Sequence, residues 1–140
     1  MNKYVFTILT LAVVAGLSFS SCHKSGSSQS VVALWTAQRQ ATDYNNNGIP
    51  DANEWVLMSS YGLSLLTMNF KADGTAQEHY VITGSADTTI SFNWTISGNN
   101  YLTLMVSGAP GVLHIDSLTS NLLVLKDTSG GQATWTSLTK

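Results

Sequence analysis

Cysteine, histidine, proline and charge are all scarce in this chain of 140 residues. The single cysteine excludes an intramolecular disulfide, so stability has to come from packing. Charged side chains make up 10% of the residues and the formal net charge is −2, which leaves no basic surface for nucleic acid. The histidines are isolated from one another and from any nucleophile motif, so they nominate neither a metal site nor a catalytic centre. We therefore expect a protein that is not an enzyme.

The N-terminal segment has the composition of an export signal. Lys3 precedes a mostly apolar run from Val5 to Leu17, which is short for a membrane span and fits the core of a signal peptide. Small residues before Cys22 resemble the lipobox of bacterial lipoproteins, in which cleavage leaves a lipidated cysteine first. The resemblance implies a signal peptide over residues 1–21 and acyl chains on Cys22, with the protein held at the outer membrane of the bacterial cell envelope. The alternative is an ordinary signal peptide cleaved near a chance cysteine.

Two further regions follow the cysteine. Residues 22–30 are polar and rich in serine, which predicts a flexible tether. Residues 31–140 are enough for one domain with a single core.

Short alternating runs separated by turn residues dominate this domain. The first run extends from Val31 to Thr42, and the clearest alternation lies between Ile90 and Ile96. About eight such runs predict an all-β antiparallel protein. Because short turns join them and each has one apolar face, we expect an up-and-down barrel, whose closure buries that face and removes the edges. Asp51 to Ser60 is the exception, since Pro50 and nearby acidic residues favour a short helix there.

Several motifs in the domain occur in an order that resembles lipocalin-like domains of bacterial lipoproteins. The resemblance covers roughly residues 31–140 and implies an eight-stranded barrel. In lipocalins such a barrel holds a cavity for a small apolar ligand. The motifs are Trp35, Phe70-Lys71-Ala72-Asp73-Gly74-Thr75, Trp94-Thr95-Ile96-Ser97-Gly98-Asn99, Ile115-Asp116-Ser117-Leu118-Thr119 and Leu123-Val124-Leu125-Lys126.

Aromatic residues on the predicted strands are the candidates for lining such a cavity. The alternative is that they form a packed core, as large aromatics on inner strand faces usually do. The first interpretation predicts non-enzymatic binding of a small apolar ligand or a protein partner. The second predicts a solid structural or interaction protein of the cell envelope, and an enzyme of unknown reaction comes third. The candidates are Trp35, Phe70, Tyr80, Phe92, Trp94 and Trp135.

The stretch from Asp43 to Glu54 concentrates oxygen-bearing side chains at the spacing of a calcium loop. It resembles both EF-hand loops and thrombospondin type-3 loops, with Gly48 at the sharp turn. Pro50 lacks the N–H through which paired EF-hand loops bond, so we expect a solitary structural site. The alternative is a surface loop in which asparagine and glycine only make turns. The expected ligands are Asp43, Asn45, Asn47, the Ile49 carbonyl, Asp51 and Glu54.

Overall fold

The computed structural model describes residues 30–98 and 100–140. The predicted signal peptide, the cysteine predicted to be lipidated and all but the last residue of the predicted tether lie outside the described residues. One turn of 3-10 helix, Met58–Tyr61, accompanies the strands. The strands are β1 Ala33–Thr42, β2 Trp55–Leu57, β3 Leu63–Phe70, β4 Thr75–Ile82, β5 Thr88–Ser97, β6 Tyr101–Val106, β7 Ala109–Leu118, β8 Leu122–Asp127 and β9 Thr134–Thr139.

The strands close into a barrel. β1 pairs with β3, and each strand from β3 onward pairs with the next one along the chain. β9 then pairs back with β1, from Thr36 to Thr42, and every pairing is antiparallel. This closed, eight-stranded meander confirms the all-β barrel predicted from the alternation. Within the described residues, no helix is long and apolar enough to cross a membrane.

A bulge in β1 changes which side chains face the interior. The register with β9 shifts between Ala37 and Arg39, leaving Gln38 as the extra residue. Before the bulge, Trp35 and Ala37 face inward and are buried. After it, Gln40 takes the inner position opposite Thr136. The bulge therefore places a polar side chain inside the barrel.

The helix predicted over Asp51–Ser60 is largely wrong. Its middle forms β2, and only the single 3-10 turn of Met58–Tyr61 is helical. β3 pairs with β1 only over Ala33–Thr36, so the edge of β1 beyond that point remains available to Trp55–Leu57. Strand pairing there satisfies backbone groups with a long-range partner, which overrides the local helical preference.

One end of the barrel is filled by large side chains. The indole N–H of Trp35 donates to the carbonyl of Val31 at 2.7 Å, and both residues are buried. The Lys140 ammonium lies 4.7 Å from the centre of the Trp35 ring. Phe70 packs edge-on against Trp94, with ring centres 5.6 Å apart. This end, at which β1 begins, is therefore closed.

Candidate functional site

The opposite half of the barrel contains a cavity of about 210 Å³. Side chains from seven strands meet around it, as only the inner faces of a closed barrel allow. It lies near the end of the barrel at which β1 and β8 finish and β9 begins, and this end is called the mouth. The lining residues are Gln40, Leu66, Met68, Glu78, Leu104, Leu113, Leu125, Asp127, Thr134 and Thr136.

The cavity exists because the inner positions near the mouth carry side chains too small to fill the barrel. Thr136 lies opposite Gln40 on one side and Leu125 on the other. At the closed end, the corresponding positions hold tryptophan and phenylalanine. Leu104 and Leu113, although on the inner face, are only partly buried. Apolar surface is thus left available inside the barrel wall.

The polar side of the cavity is acidic. Glu78 lies on the inner face of β4, between Met68 and Ile90 on the neighbouring strands. Burial among these apolar neighbours raises the pKa of the Glu78 carboxyl above its usual range. Asp127 contributes a second carboxylate to the lining, which holds no basic side chain. Lys126, its neighbour, instead places its ammonium over the Trp135 ring, 4.9 Å from the centre.

The aromatic candidates occupy three different environments. Trp35, Phe70 and Phe92 lie in the packed core rather than in the lining of the cavity. Trp94 is partly buried against that core, and its indole N–H donates to the carbonyls of Lys71 and Thr75. The closed half is therefore solid, as the packed-core alternative predicts, and the half at the mouth is hollow.

The remaining two candidates also lie outside the lining. Tyr80 lies on the inner face of β4, next to Leu66, but does not contact the cavity. Trp135 alternates with Thr134 and Thr136, so it faces away from the interior. On the outer face of the barrel wall Trp135 is nonetheless fully buried, and its indole N–H donates to the Asp116 carboxylate at 2.8 Å. The prediction that Trp135 lines a ligand cavity therefore needs correction.

The residues that do line the polar side of the cavity were not among the sequence candidates. Glu78 and Thr136 each lie two residues from an apolar inner residue of the same strand. Because side chains alternate between the two faces of a strand, this spacing could have predicted that both face the interior. Gln40 could not have been found in this way, because the bulge exchanges the inner and outer positions of β1 beyond Gln38. The histidines on β4 and β7 are not part of the lining: His79 contacts Asp87 and His114 contacts Asp116.

The acidic loop lies beside the mouth. The N–H of Asp43 donates to the carbonyl of Ala133 at 2.9 Å, which ties the start of the loop to the β8–β9 connection. The Asp43 carboxylate is buried and accepts the backbone N–H groups of Asn47 and Gly48, at 3.0 and 2.8 Å. The Glu54 carboxylate, also buried, accepts the N–H of Tyr44. These bonds hold the loop in a closed turn.

The other expected calcium ligands are also drawn together. The side-chain amides of Asn45 and Asn47 both donate to one oxygen of Asp51, at 2.7 and 2.9 Å. The N–H of Asp51 in turn donates to Glu54. Ile49 is exposed, and its N–H donates to the side chain of Asn47. Among the described residues, no group of three or more His, Cys, Asp or Glu side chains is positioned to hold a metal ion.

The donor chemistry of the loop nevertheless suits a hard cation. Carboxylate oxygens from Asp43, Asp51 and Glu54 and amide oxygens from Asn45 and Asn47 are the types that calcium prefers. Two of these groups would have to turn, because Asn45 and Asn47 present N–H₂ rather than oxygen to Asp51. In the described loop these amides are the side-chain hydrogen-bond donors to the Asp51 carboxylate.

A family model of the lipocalin-like domain matches residues 35–125. The chain belongs to the lipocalin-like family. A bovine odorant-binding protein, in the form of a deswapped triple mutant, is similar to this chain at 16% identity with a TM-score of 0.43. That similarity covers 76% of this lipocalin-like chain and 70% of the bovine one. None of the curated proteins matches the chain.

Proposed function

We propose that this lipocalin-like protein binds a small, largely apolar molecule in the mouth of its barrel. The observation that carries the proposal is the cavity of about 210 Å³, bordered by partly exposed leucines on inner strand faces. An apolar cavity of roughly 150 Å³ is enough to hold benzene, so this one has room for a slightly larger ligand. The solid core beneath it makes the floor rigid. The protein has the role of a binding module and not of an enzyme.

A substitution that obstructs the cavity tests this function. In Leu113→Trp, the indole would extend from β7 into the cavity, and binding of small phenyl compounds should fall at least about tenfold. Val112→Trp is the matched control, because Val112 is the adjacent residue of β7 and is 53% exposed. Binding is followed by chemical-shift changes in NMR titrations with 2-phenylethanol, 2-phenylethylamine and 3-phenylpropanoate. Native mass spectrometry of the purified protein checks for a ligand carried through purification.

The result that would overturn the function is equally clear. If none of the three compounds binds and no small molecule co-purifies, the barrel is not a ligand carrier. The solid-protein alternative, a structural or interaction role in the cell envelope, would then replace it.

We propose further that the protein is anchored to the bacterial cell envelope through acyl chains on Cys22. The support comes from the sequence, where an apolar run and small residues lead directly to the one cysteine. The fold is compatible with such an anchor. Val31 packs into the core at the closed end, so the tether joins the barrel away from the mouth. A ligand could therefore enter without crossing the tether.

The acidic loop is proposed to bind calcium as a structural brace. Two observations support this: the spacing of its oxygen donors and the fact that Asp43, Asn45, Asn47, Asp51 and Glu54 share one hydrogen-bond network. Calcium held there would pin the first long connection to the β8–β9 connection, next to the mouth. A solitary loop with three carboxylates is expected to bind weakly, with a Kd on the order of 10⁻⁴–10⁻³ M.

A further inference from the structure

We propose that the ligand of the barrel is a small apolar amine, bound with its ammonium group between the carboxylates of Glu78 and Asp127. The inference rests on the proposed ligand-binding function and deepens it by assigning the ligand a charge. It follows from the distribution of polar groups around the cavity.

The two carboxylates belong to opposite walls of the same cavity. Glu78 projects from β4 and Asp127 from the end of β8, and these strands are separated by three others on one side of the barrel and three on the other. The remaining polar lining consists of Gln40, Thr134 and Thr136, which are neutral. No hydrogen bond or ion pair to another side chain engages the Glu78 carboxylate within the described residues. The Asp127 carboxylate accepts the backbone N–H of Ser129 at 2.7 Å through one oxygen. A ligand entering between the walls thus meets two carboxylates that have no cationic side chain in the lining beside them.

An uncompensated carboxylate in an apolar wall is unfavourable for folding. Burial penalises the ionised form of Glu78, and no cation in the described part of the chain offsets this penalty. Lys126, which adjoins Asp127, is directed to the outside of the barrel and covers Trp135. A cation supplied by the ligand would provide the missing counter-charge, and it would do so in a partly desolvated site where charge-assisted hydrogen bonds are strong.

The apolar part of the ligand has a defined place. Leu66, Leu104 and Leu113 border the cavity together with Met68 and Leu125. A hydrocarbon or aromatic group of about eight to ten heavy atoms suits this volume, by comparison with the cavity that holds benzene. An anionic ligand of the same shape is disfavoured, because its carboxylate would lie beside those of Glu78 and Asp127.

Three probes differ in charge: 2-phenylethylamine and 2-phenylethanol match each other in size, and 3-phenylpropanoate is a slightly larger anion. We expect the amine to bind at least about tenfold more tightly than the alcohol, and the carboxylate to bind most weakly. Calorimetric titration at pH 7 of the complete folded domain measures all three affinities. If the alcohol binds as tightly as the amine, the amine proposal fails while ligand binding by the barrel stands. If no probe binds, the proposed function itself fails.

Isosteric amide variants identify the carboxylates responsible. Glu78→Gln and Asp127→Asn should each weaken amine binding about tenfold and leave alcohol binding within about twofold of the wild type. Asp87→Asn is the control, since it removes the same charge from a carboxylate that is 68% exposed outside the cavity. Amine binding that survives both cavity substitutions, or that falls equally in the control, overturns the assignment. Circular dichroism of each variant confirms that the barrel is folded.

Discussion

At the scale of single residues, carboxylates in this protein have two opposite environments. The Asp73 carboxylate accepts the hydroxyl and the backbone N–H of Thr75, at 2.7 and 2.9 Å, and these bonds lower its pKa. The Glu78 carboxyl lies in an apolar wall, and burial raises its pKa. A raised pKa means that the folded state binds the proton more tightly than the unfolded chain does. Glu78 therefore lowers stability increasingly as the pH rises through its folded pKa, whereas Asp73 adds stability once ionised.

Glu78→Gln should consequently be more stable than the wild type at pH 7 and equal to it well below the pKa of 4.5 that a free glutamate has. Urea unfolding between pH 3 and pH 8 measures the difference. Asp73→Asn should show the opposite sign, with a small loss of stability at pH 7 that disappears in acid, because the ionised aspartate is the favoured form. A Glu78→Gln variant that is less stable than the wild type at neutral pH would contradict the uncompensated burial of this carboxylate.

At the scale of elements, the acidic loop and the bulged first strand together shape the mouth. The bulge in β1 turns Gln40 inward, and the strand then ends at Thr42, opposite Thr134. The loop begins at once with buried Asp43, whose carboxylate orders the turn around Gly48. Gly48 has a φ of +81°, a conformation that favours glycine, so the chain can reverse there without strain. The rim of the cavity is thus held by hydrogen bonds on one side even without an ion.

Calcium should raise the melting temperature of the domain relative to EGTA. At a concentration ten times the Kd, the ion would stabilise the folded state by about 1.4 kcal/mol, which corresponds to a shift of roughly 5 °C for a domain of this size. Asp43→Ala and Glu54→Gln should abolish the calcium-dependent shift, whatever their effect on the melting temperature itself. Asp87→Asn, outside the loop, should retain it.

An unchanged melting temperature at millimolar calcium would leave the loop as a hydrogen-bonded turn only. The amides of Asn45 and Asn47 would then be the permanent partners of Asp51, as the distances of 2.7 and 2.9 Å suggest. This outcome would not affect the proposals for the cavity, because none of the loop residues from Asp43 to Glu54 belongs to its lining.

At the scale of the whole molecule, the barrel divides into a solid half and a hollow half. Trp35, Phe70 and Leu138 fill the closed end, where the N-terminal segment enters and Lys140 covers Trp35. The mouth lies at the other end, with its acidic lining. Tight packing at the closed end stabilises the fold, so the inner positions near the mouth can carry smaller side chains that leave the cavity open. The described chain begins beside the closed end, away from the mouth.

The proposed anchor on Cys22 makes a measurable prediction. Intact mass analysis of protein extracted from bacterial membranes should show a chain that lacks residues 1–21 and carries acyl chains on Cys22. Cys22→Ala should no longer carry the acyl mass, because it lacks the thiol that becomes lipidated. An unacylated mature protein that starts at another residue would instead support an ordinary signal peptide.

The sequence by itself determined the class of fold, since alternation and turn residues are local properties that survive in any antiparallel arrangement. It also located the acidic loop, whose bonds join residues close together in the chain.

Which side chains face the interior was decided only by the tertiary structure. A strand has two faces, and a single bulge or a shift of register exchanges them, so the inward turn of Gln40 and the outward turn of Trp135 depend on the partner strands. The strand at Trp55–Leu57, where a helix was predicted, likewise exists because β1 offers it an unpaired edge. The cavity is a property of the closed barrel, because its lining combines residues far apart in sequence, such as Glu78 and Asp127, from opposite walls.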